Sequence, residues 1–373
     1  MRLSVIAYWS LYRVRSQNSI PVERKKAAVR IEPLGVVSCL TPWNYPLGQI
    51  FQKVIPALLM GNTVVLKPSS MAPLTAVILA EAVRRVGFPK GVFNLINGVG
   101  TQFGDMLTEH PFISKISFTG STETGRYLAK KAAAGLKRIS LELGGKSPCI
   151  WLPGIDNYEP ACRTLFNSVF LNAGQTCTSL SRLLIPESMK TEVEKLLKRL
   201  YADYRIGMPD DPEAVVGPLI SRKQYERVSE FIRLGVTEGA TLFAGEIPPV
   251  DPQGGWFIRP VIFTDVTETM QIAQEEIFGP VLCVMTYHDR EDALRIANST
   301  RYGLSSAVYG PSDEAEAFAA EIEAGNVFIN NSPRDITAPF GGFKESGIGY
   351  ESGEEGLMEF ARFKSVFDGR ETR

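Results

Sequence analysis

The stretch Lys115-Ile-Ser-Phe-Thr-Gly-Ser-Thr-Glu-Thr-Gly125 decides how this chain is read. An apolar strand-like run ends in a glycine turn and passes directly into Thr122–Ala134, a basic, alanine-rich segment of helical character. Gly120 lets the backbone approach a bound group, and exposed N–H groups at a helix start favour an anion such as a pyrophosphate. The spacing is not G-x-G-x-x-G, and a plain strand-to-helix turn uses glycine for the same conformational reason. Both readings put a strand, a turn and a helix here.

Working outward, Leu34 to Leu143 alternates short β-rich runs with helical stretches. Gly35–Leu40, Thr63–Lys67, Val92–Ile96, Lys115–Phe118 and Ile139–Leu143 read as strands, and Pro46–Met60, Pro73–Val86 and Thr122–Ala134 as helices. Two of the helices open with proline, which suits a first helical turn. The alternation predicts a parallel sheet with crossover helices, a doubly wound nucleotide-binding domain. A second α/β unit follows from about Gly145 to Lys344, with strands at Arg182–Ile185, Phe257–Phe263, Val281–Tyr287 and Val327–Asn330. Its helices fall at Met189–Tyr204, Arg222–Leu234, Arg290–Asn298 and Asp313–Glu323, while Thr264–Pro280 and Asn331–Gly349 read as loops able to carry function.

Composition agrees with two soluble domains. The 373 residues exceed one ordinary core, and 44% hydrophobic with 22% charged residues is globular usage. Forty basic against 41 acidic residues leave no global field for nucleic acid, and no apolar run approaches membrane-spanning length. The five cysteines are odd in number and form no C-x-x-C pair, which fits a reduced protein. Met1 to Ser16 lacks a signal-peptide core, so a cytoplasmic location is expected. With only His110 and His288, neither a histidine-rich metal site nor a Ser-His-Asp triad has material to work with, and no metal is expected.

Two further stretches carry chemistry. Asn172-Ala-Gly-Gln-Thr-Cys-Thr178 sets a cysteine in a small-residue loop after the helical stretch Pro160–Phe170. Cys177 there is either a core residue or a nucleophile whose thiolate is favoured by nearby donors. In Leu141-Glu-Leu-Gly-Gly-Lys146 a carboxylate, Glu142, stands where an apolar strand meets a Gly-Gly turn. It is either paired for structure or perturbed for function, because burying it uncompensated is costly.

These segments and four others closely resemble, in the same order, the motifs of the aldehyde dehydrogenase superfamily. The others are Thr41-Pro-Trp-Asn-Tyr-Pro46, Lys67-Pro-Ser-Ser70, Glu275-Glu-Ile-Phe-Gly-Pro280 and Pro339-Phe-Gly-Gly-Phe-Lys344, and the resemblance runs from about Ile20 to the C-terminus. It implies an α/β aldehyde-dehydrogenase-like fold: a Rossmann-type cofactor domain (32–144 and 345–361), an α/β catalytic domain (145–344) and a small β oligomerisation ribbon (20–31 and 362–373), after a divergent leader (1–19). It implies oxidation of an aldehyde to the carboxylic acid through a cysteine thiohemiacetal and thioester, with hydride transfer to NAD or NADP. Cys177 would be the nucleophile, Asn44 with the Cys177 N–H the oxyanion donors, and Glu142 the base for water. Cofactor contacts would come from Trp43, Lys67, Ser70, Gly120, Ser121, Gly125, Leu143, Glu276 and Phe278. Phe340 would line the substrate pocket or serve as a core aromatic, and Arg334, in the loop Asn331-Ser-Pro-Arg-Asp-Ile-Thr337, either meets a substrate carboxylate by a bidentate contact or is solvated. Partners would be a small-molecule aldehyde and further copies of the chain, in a homodimer or homotetramer, with no nucleic acid and no membrane.

The sequence departs from the family pattern in three places. Only Met1 to Val29 precede Ile31-Glu-Pro-Leu-Gly35, where the family ordinarily has further helices and strands, so the cofactor domain is expected to be N-terminally incomplete. A catalytically silent truncated relative or gene fragment is the alternative that follows. Ser70 stands where many NAD-preferring members carry a glutamate, which removes repulsion against a 2′-phosphate and implies that NADP is accepted comparably with NAD. Gly349-Tyr350-Glu351 stands in place of the family's Gly-Arg-Glu, a change with no functional account.

Overall fold

Five parallel strands with apolar residues pointing both ways build all but the two-residue edge strand Gly347–Ile348 of the six-stranded first sheet: β2 (Val36–Thr41), β3 (Thr63–Pro68), β4 (Phe93–Leu95), β5 (Ile113–Thr119) and β6 (Arg138–Glu142). The computed structural model describes residues 27–155, 157–252 and 254–367. The expected leader 1–19, ribbon residues 20–26 and tail 368–373 lie outside them. The order of these five is β6-β5-β2-β3-β4, with Gly347–Ile348 beyond β6, so the chain winds one way from β2 and returns to wind the other way from β5. Both faces are therefore covered. On one, Val37, Cys39, Val64 and Leu66 pack with Ile50, Val54 and Ala57 of α1 (Pro46–Leu59), with α2 (Leu74–Val86) beside it. On the other, Leu40 and Ile116 pack with Leu107 of α3 (Gly100–Glu109) and with Leu128 and Ala132 of α4 (Thr122–Ala134).

Among the described residues three helices escape the periodicity reading: the short Gln271–Gln274 and Gly353–Met358, and the longer α3. α3 carries Gly100 and Gly104, residues of low helix propensity, and its apolar side chains are few. Tertiary packing of Leu107 makes it a helix all the same.

Backbone contacts divide the chain into two units: Met1–Glu142, Asp335–Gly341 and Ile348–Arg373 form the first, Leu143–Arg334 and Gly342–Gly347 the second. This differs from the expected division, which gave all of 145–344 to the catalytic domain and 345–361 to the cofactor domain. The reasons are local. Phe340 exchanges backbone hydrogen bonds with Glu351 at 2.6 and 2.7 Å inside the first unit. Ser346 in the second donates its hydroxyl to Gly144 O at 2.6 Å and accepts from Gly303 N at 2.9 Å.

The returning C-terminal segment is tied into the first unit by buried polar groups. Lys53 on α1 donates to Glu351 and, at 2.6 Å, to the Thr119 hydroxyl. Lys115 on β5 bonds Glu359 at 2.9 Å, and Asn62 joins Leu34 N to Phe360 O. Strand β1 (Ala27–Pro33) then pairs antiparallel with the final strand, Ala361–Phe367, in register from Ala27 opposite Phe367 to Pro33 opposite Ala361. The described parts of the two segments expected to form a ribbon, 27–31 and 362–367, thus pair with each other within one chain.

The second unit holds a seven-stranded sheet. Its central neighbours are β7 (Pro148–Trp151), β8 (Arg182–Pro186) and, numbered after β9 (Thr241–Ala244) and β10 (Val261–Thr264), β11 (Val281–Tyr287). β7, β8 and β11 are mutually parallel and adjacent, while β9 is antiparallel at one edge. β7, β9 and the strand Ser305–Tyr309 were not anticipated: β7 has only four residues, all buried, and Ser305–Tyr309 is buried throughout as well, so neither has an alternation to read. The expected strand Phe257–Phe263 is shorter and later than read, as β10.

Candidate active site

In the first unit a cleft of about 600 Å³ opens at the carboxyl ends of β2, β3 and β5. This is where the winding reverses, the position at which doubly wound sheets bind ligands. Leu40 to Trp43 line it from β2, Lys67 and Ser70 from β3, and Phe118 to Gly120 from β5, with α3 and α4 closing the far side. Of the expected cofactor residues in this unit, Trp43, Lys67, Ser70 and Gly120 line the cleft. Ser121 and Gly125 do not: Ser121 caps α4, accepting from Thr124 N at 3.3 Å, and Gly125 is buried in the helix.

Lys67 is 7% exposed, so it is not a solvated strand-end charge. Its ammonium donates to Pro68 O at 3.0 Å, and burial lowers its pKa. An anionic or hydroxyl-rich ligand would relieve that desolvation. Asn44, half-buried, stands in the short loop between β2 and α1. Glu142, 4% exposed, ends β6, and its carbonyl accepts from Gly120 N at 3.0 Å. Phe340 is buried beside Glu351.

In the second unit, Cys177 lies on the loop that leaves α5 (Glu159–Phe170) and enters β8. Asn172, Ala173 and Gly174 all take left-handed backbone angles, φ 54°, 52° and 70°. For alanine that conformation is costly and persists only where neighbours enforce it. Here Gln175 does so: its amide donates to Asn172 O at 2.9 Å and its side-chain oxygen accepts from Ile220 N at 2.9 Å. Of the five cysteines, Cys39, Cys149, Cys162 and Cys283 are buried, and burial raises their pKa values, to about 12 for Cys39 and Cys162. Cys177 alone is half-exposed.

Three motif loops meet around it because each runs into the amino end of an adjacent parallel strand. Leu143–Ser147 enters β7, the cysteine loop enters β8, and Glu275–Pro280 enters β11. Two glycines record how closely they approach. A Cβ on Gly145 would lie 2.6 Å from the Cys177 carbonyl oxygen, and one on Gly174 would lie 2.2 Å from Gly279 O. Buried Arg182, at the start of β8, clamps the arrangement by donating to Lys146 O, Ile296 O and Ala297 O at 2.7–2.9 Å.

Glu276 is drawn onto Gly145 N at 3.1 Å. Burial of this carboxyl raises its pKa to about 7, against the lowering effect of the Gly145 N–H. Phe278 adopts φ 60°, and its carbonyl accepts from Gln224 at 2.9 Å. Leu143 is buried, whereas Arg334 is exposed at the end of this unit. Among the described residues no group of three or more His, Cys, Asp or Glu could hold a metal ion. No helix among them is long and apolar enough to cross a membrane.

A family model described as the aldehyde dehydrogenase family matches residues 4–366. The chain belongs to that family. A putative aldehyde dehydrogenase of Staphylococcus epidermidis is 46% identical over 339 residues, 90% of this chain and 71% of that protein. Among solved structures, a cysteine-to-alanine variant of aldehyde dehydrogenase C from Pseudomonas syringae, complexed with NAD+ and octanal, superposes with a TM-score of 0.89 at 39% identity, covering 98% of this chain and 77% of that one. Betaine aldehyde dehydrogenase from Staphylococcus aureus with NAD+ gives 0.90 at 36% identity, covering 96% and 73%. The aldehyde-dehydrogenase-like α/β fold expected from seven short motifs is borne out.

Several residues lining the cleft of the first unit were not expected from the sequence. Gly100, Gly104, Asp105 and Tyr127 all line the cleft of the first unit. The visible signal was a pair of glycines four apart. The buried ion pair of Lys53 and Glu351, outside the cleft lining, also left no local trace, since its partners lie 298 residues apart.

Proposed function

We propose that this chain oxidises a small aldehyde to its carboxylic acid, using NAD or NADP held in the cleft of the first unit and Cys177 as the nucleophile. The observation that carries the reading is the exposure of Cys177, alone among five cysteines, where three motif loops meet. The cleft suits a dinucleotide by its donor set: a desolvated Lys67 ammonium, the hydroxyls of Ser69 and Ser70, and the amino end of α4 beside Gly120. Lys67 and Ser70 would hold the adenosine ribose, the Gly120 turn and α4 the pyrophosphate. Glu276, Phe278 and Leu143 would hold the nicotinamide half.

Cys177 Sγ, as thiolate, adds to the aldehyde carbon, and the carbonyl oxygen gains the negative charge as a thiohemiacetal. The Asn44 side-chain amide and the Cys177 N–H stabilise that oxygen. When bound, the nicotinamide ring supplies the two-electron acceptor for the hydrogen on that carbon. The acyl group is left on Cys177 as a thioester. Glu142 takes a proton from water, the oxygen adds to the thioester carbon, and the C–S bond breaks to return the thiolate and release the acid. The presence of Glu142 to serve water favours a free acid over acyl transfer to coenzyme A. A homodimer or homotetramer is the expected assembly, since Phe363 and Phe367 of the ribbon are 63% and 77% exposed.

The experiment is an aldehyde panel assayed with both dinucleotides on the wild type and Cys177→Ala. Oxidation should vanish in the variant while dinucleotide binding persists. Measurable turnover by Cys177→Ala would remove Cys177 as nucleophile, and acyl-coenzyme A formation would replace the hydrolytic assignment.

A further inference from the structure

Two side chains at the cleft of the first unit have no part in the contacts assigned so far: Asp105 on α3 and Tyr127 on α4. Thr124, Tyr127 and Leu128 are spaced i, i+3, i+4 and share one face of α4. Gly100, Thr101, Gly104 and Asp105 line the opposite wall from α3. A Cβ on Gly100 or Gly104 would meet nothing within 4 Å, so these glycines do not serve a close packing contact. They leave an open slot between the two helices.

The rim of that slot is polarised. The Tyr127 hydroxyl donates to Asp105 Oδ1. The other oxygen, Oδ2, has Lys131 no nearer than 3.8 Å, because the lysine makes its short bond, 2.7 Å, to Glu109. The lysine ammonium also sits 5.6 Å from the Tyr127 ring centroid. An aromatic wall therefore stands beside a carboxylate that one bond has already oriented.

We propose that Asp105, aimed by Tyr127, selects the purine of the cofactor by accepting a hydrogen bond from the exocyclic amino group of adenine, with the Tyr127 ring alongside the base. This rests on the cleft being the dinucleotide site. An ionised carboxylate only accepts hydrogen bonds. The 6-amino group of adenine donates to it, whereas the 6-oxo group of hypoxanthine presents an acceptor to an acceptor. The bond to Asp105 also raises the Tyr127 pKa, so the phenol stays protonated and keeps donating throughout the neutral range. Asp105 is 57% exposed, and water softens the mismatch to about tenfold in affinity, well short of the discrimination reached by sealed polar sites.

The test measures equilibrium binding of NAD and of nicotinamide hypoxanthine dinucleotide by calorimetry, without aldehyde, on the wild type, Asp105→Asn, Tyr127→Phe and Gly104→Phe. The wild type should bind NAD about tenfold tighter than the hypoxanthine analogue. Asp105→Asn, whose amide can turn an N–H towards the 6-oxo group, should bring the two within about twofold, and Tyr127→Phe should fall between. Melting temperatures within a few degrees of wild type would show that the variants fold. A ratio unchanged in Asp105→Asn overturns the proposal. Gly104→Phe fills the slot and separates the two levels: undiminished dinucleotide affinity in that variant would refute the cleft as the cofactor site. Lost affinity there, with an unchanged ratio in Asp105→Asn, refutes the base assignment alone.

Discussion

Replacing Gly145 by alanine tests whether the close approach of three loops sets the position of Cys177, the proposed nucleophile. The added Cβ would stand 2.6 Å from the Cys177 carbonyl oxygen, with Leu304 Cβ at 3.3 Å and Ser147 Oγ at 3.4 Å on its other sides. Real Cβ atoms essentially never come within 3.0 Å, and most stay beyond 3.4 Å, so the cysteine carbonyl must retreat by about 0.4 to 0.8 Å. The neighbours at 3.3 and 3.4 Å prevent the alanine from absorbing the shift itself. Because the displaced group is the backbone of Cys177, its thiol moves by a similar amount. Displacements near 1 Å cost up to about a hundredfold in rate, so kcat/KM should fall by about ten- to a hundredfold. Overpacking should cost about 1–3 kcal/mol and lower the melting temperature by several degrees. The assay pairs steady-state oxidation with calorimetric NAD binding, which should be little changed. Gly217→Ala is the control, since a Cβ there meets nothing within 4 Å. Oxidation by Gly145→Ala within twofold of wild type would refute the reasoning.

Glu142→Gln should retain one burst of reduced cofactor per site while steady turnover falls by about a hundredfold or more, as expected for loss of a general base in the second half-reaction. Equal loss of burst and steady rate, read by stopped-flow absorbance, would move Glu142 to an earlier step. Ser70→Glu should raise the KM for NADP at least tenfold more than that for NAD, since two unit charges about 4 Å apart near a surface repel by about 4 kcal/mol before screening. Comparing both cofactors on both proteins checks it, and an unchanged preference removes Ser70 from cofactor choice. Glu276 supplies a pH dependence. With its folded pKa raised from 4.5 to about 7, the folded state holds this proton longer than the unfolded chain, so stability declines as pH rises from about 4.5 to about 7 and then levels. Glu276→Gln should lose that decline, seen as a smaller difference in melting temperature between pH 5 and pH 8. An undiminished difference would place the titration elsewhere.

Much of this protein was legible locally. Strand β5, the Gly120 turn and α4 follow from Lys115–Ala134 alone, because an apolar run, a glycine and a helix-forming segment each act over a few residues. The motifs around Asn44, Glu142 and Cys177 were equally plain, since each is a short run contiguous in the sequence. Less was legible where stability comes from distant partners. Helix α3 was hidden by Gly100 and Gly104, whose poor propensity is overridden by packing of Leu107. Strand β7 was hidden because Pro148–Trp151 is buried throughout and carries no alternation.

By itself, the sequence determined the two α/β layers, the order of the motifs and the family to which they belong. Only the tertiary structure decided which glycines carry close contacts. Gly145 and Gly174 look like Gly104 in the sequence, yet a Cβ on either would strike backbone while one on Gly104 would enter open space. Only the structure showed that Leu143–Ser147, Asn172–Ser181 and Glu275–Pro280 enter neighbouring strands at one end of one sheet. The reason is that strand order is set by long-range pairing of parallel strands. That pairing costs chain entropy and is recovered only through burial on both faces, so no local run of residues contains it.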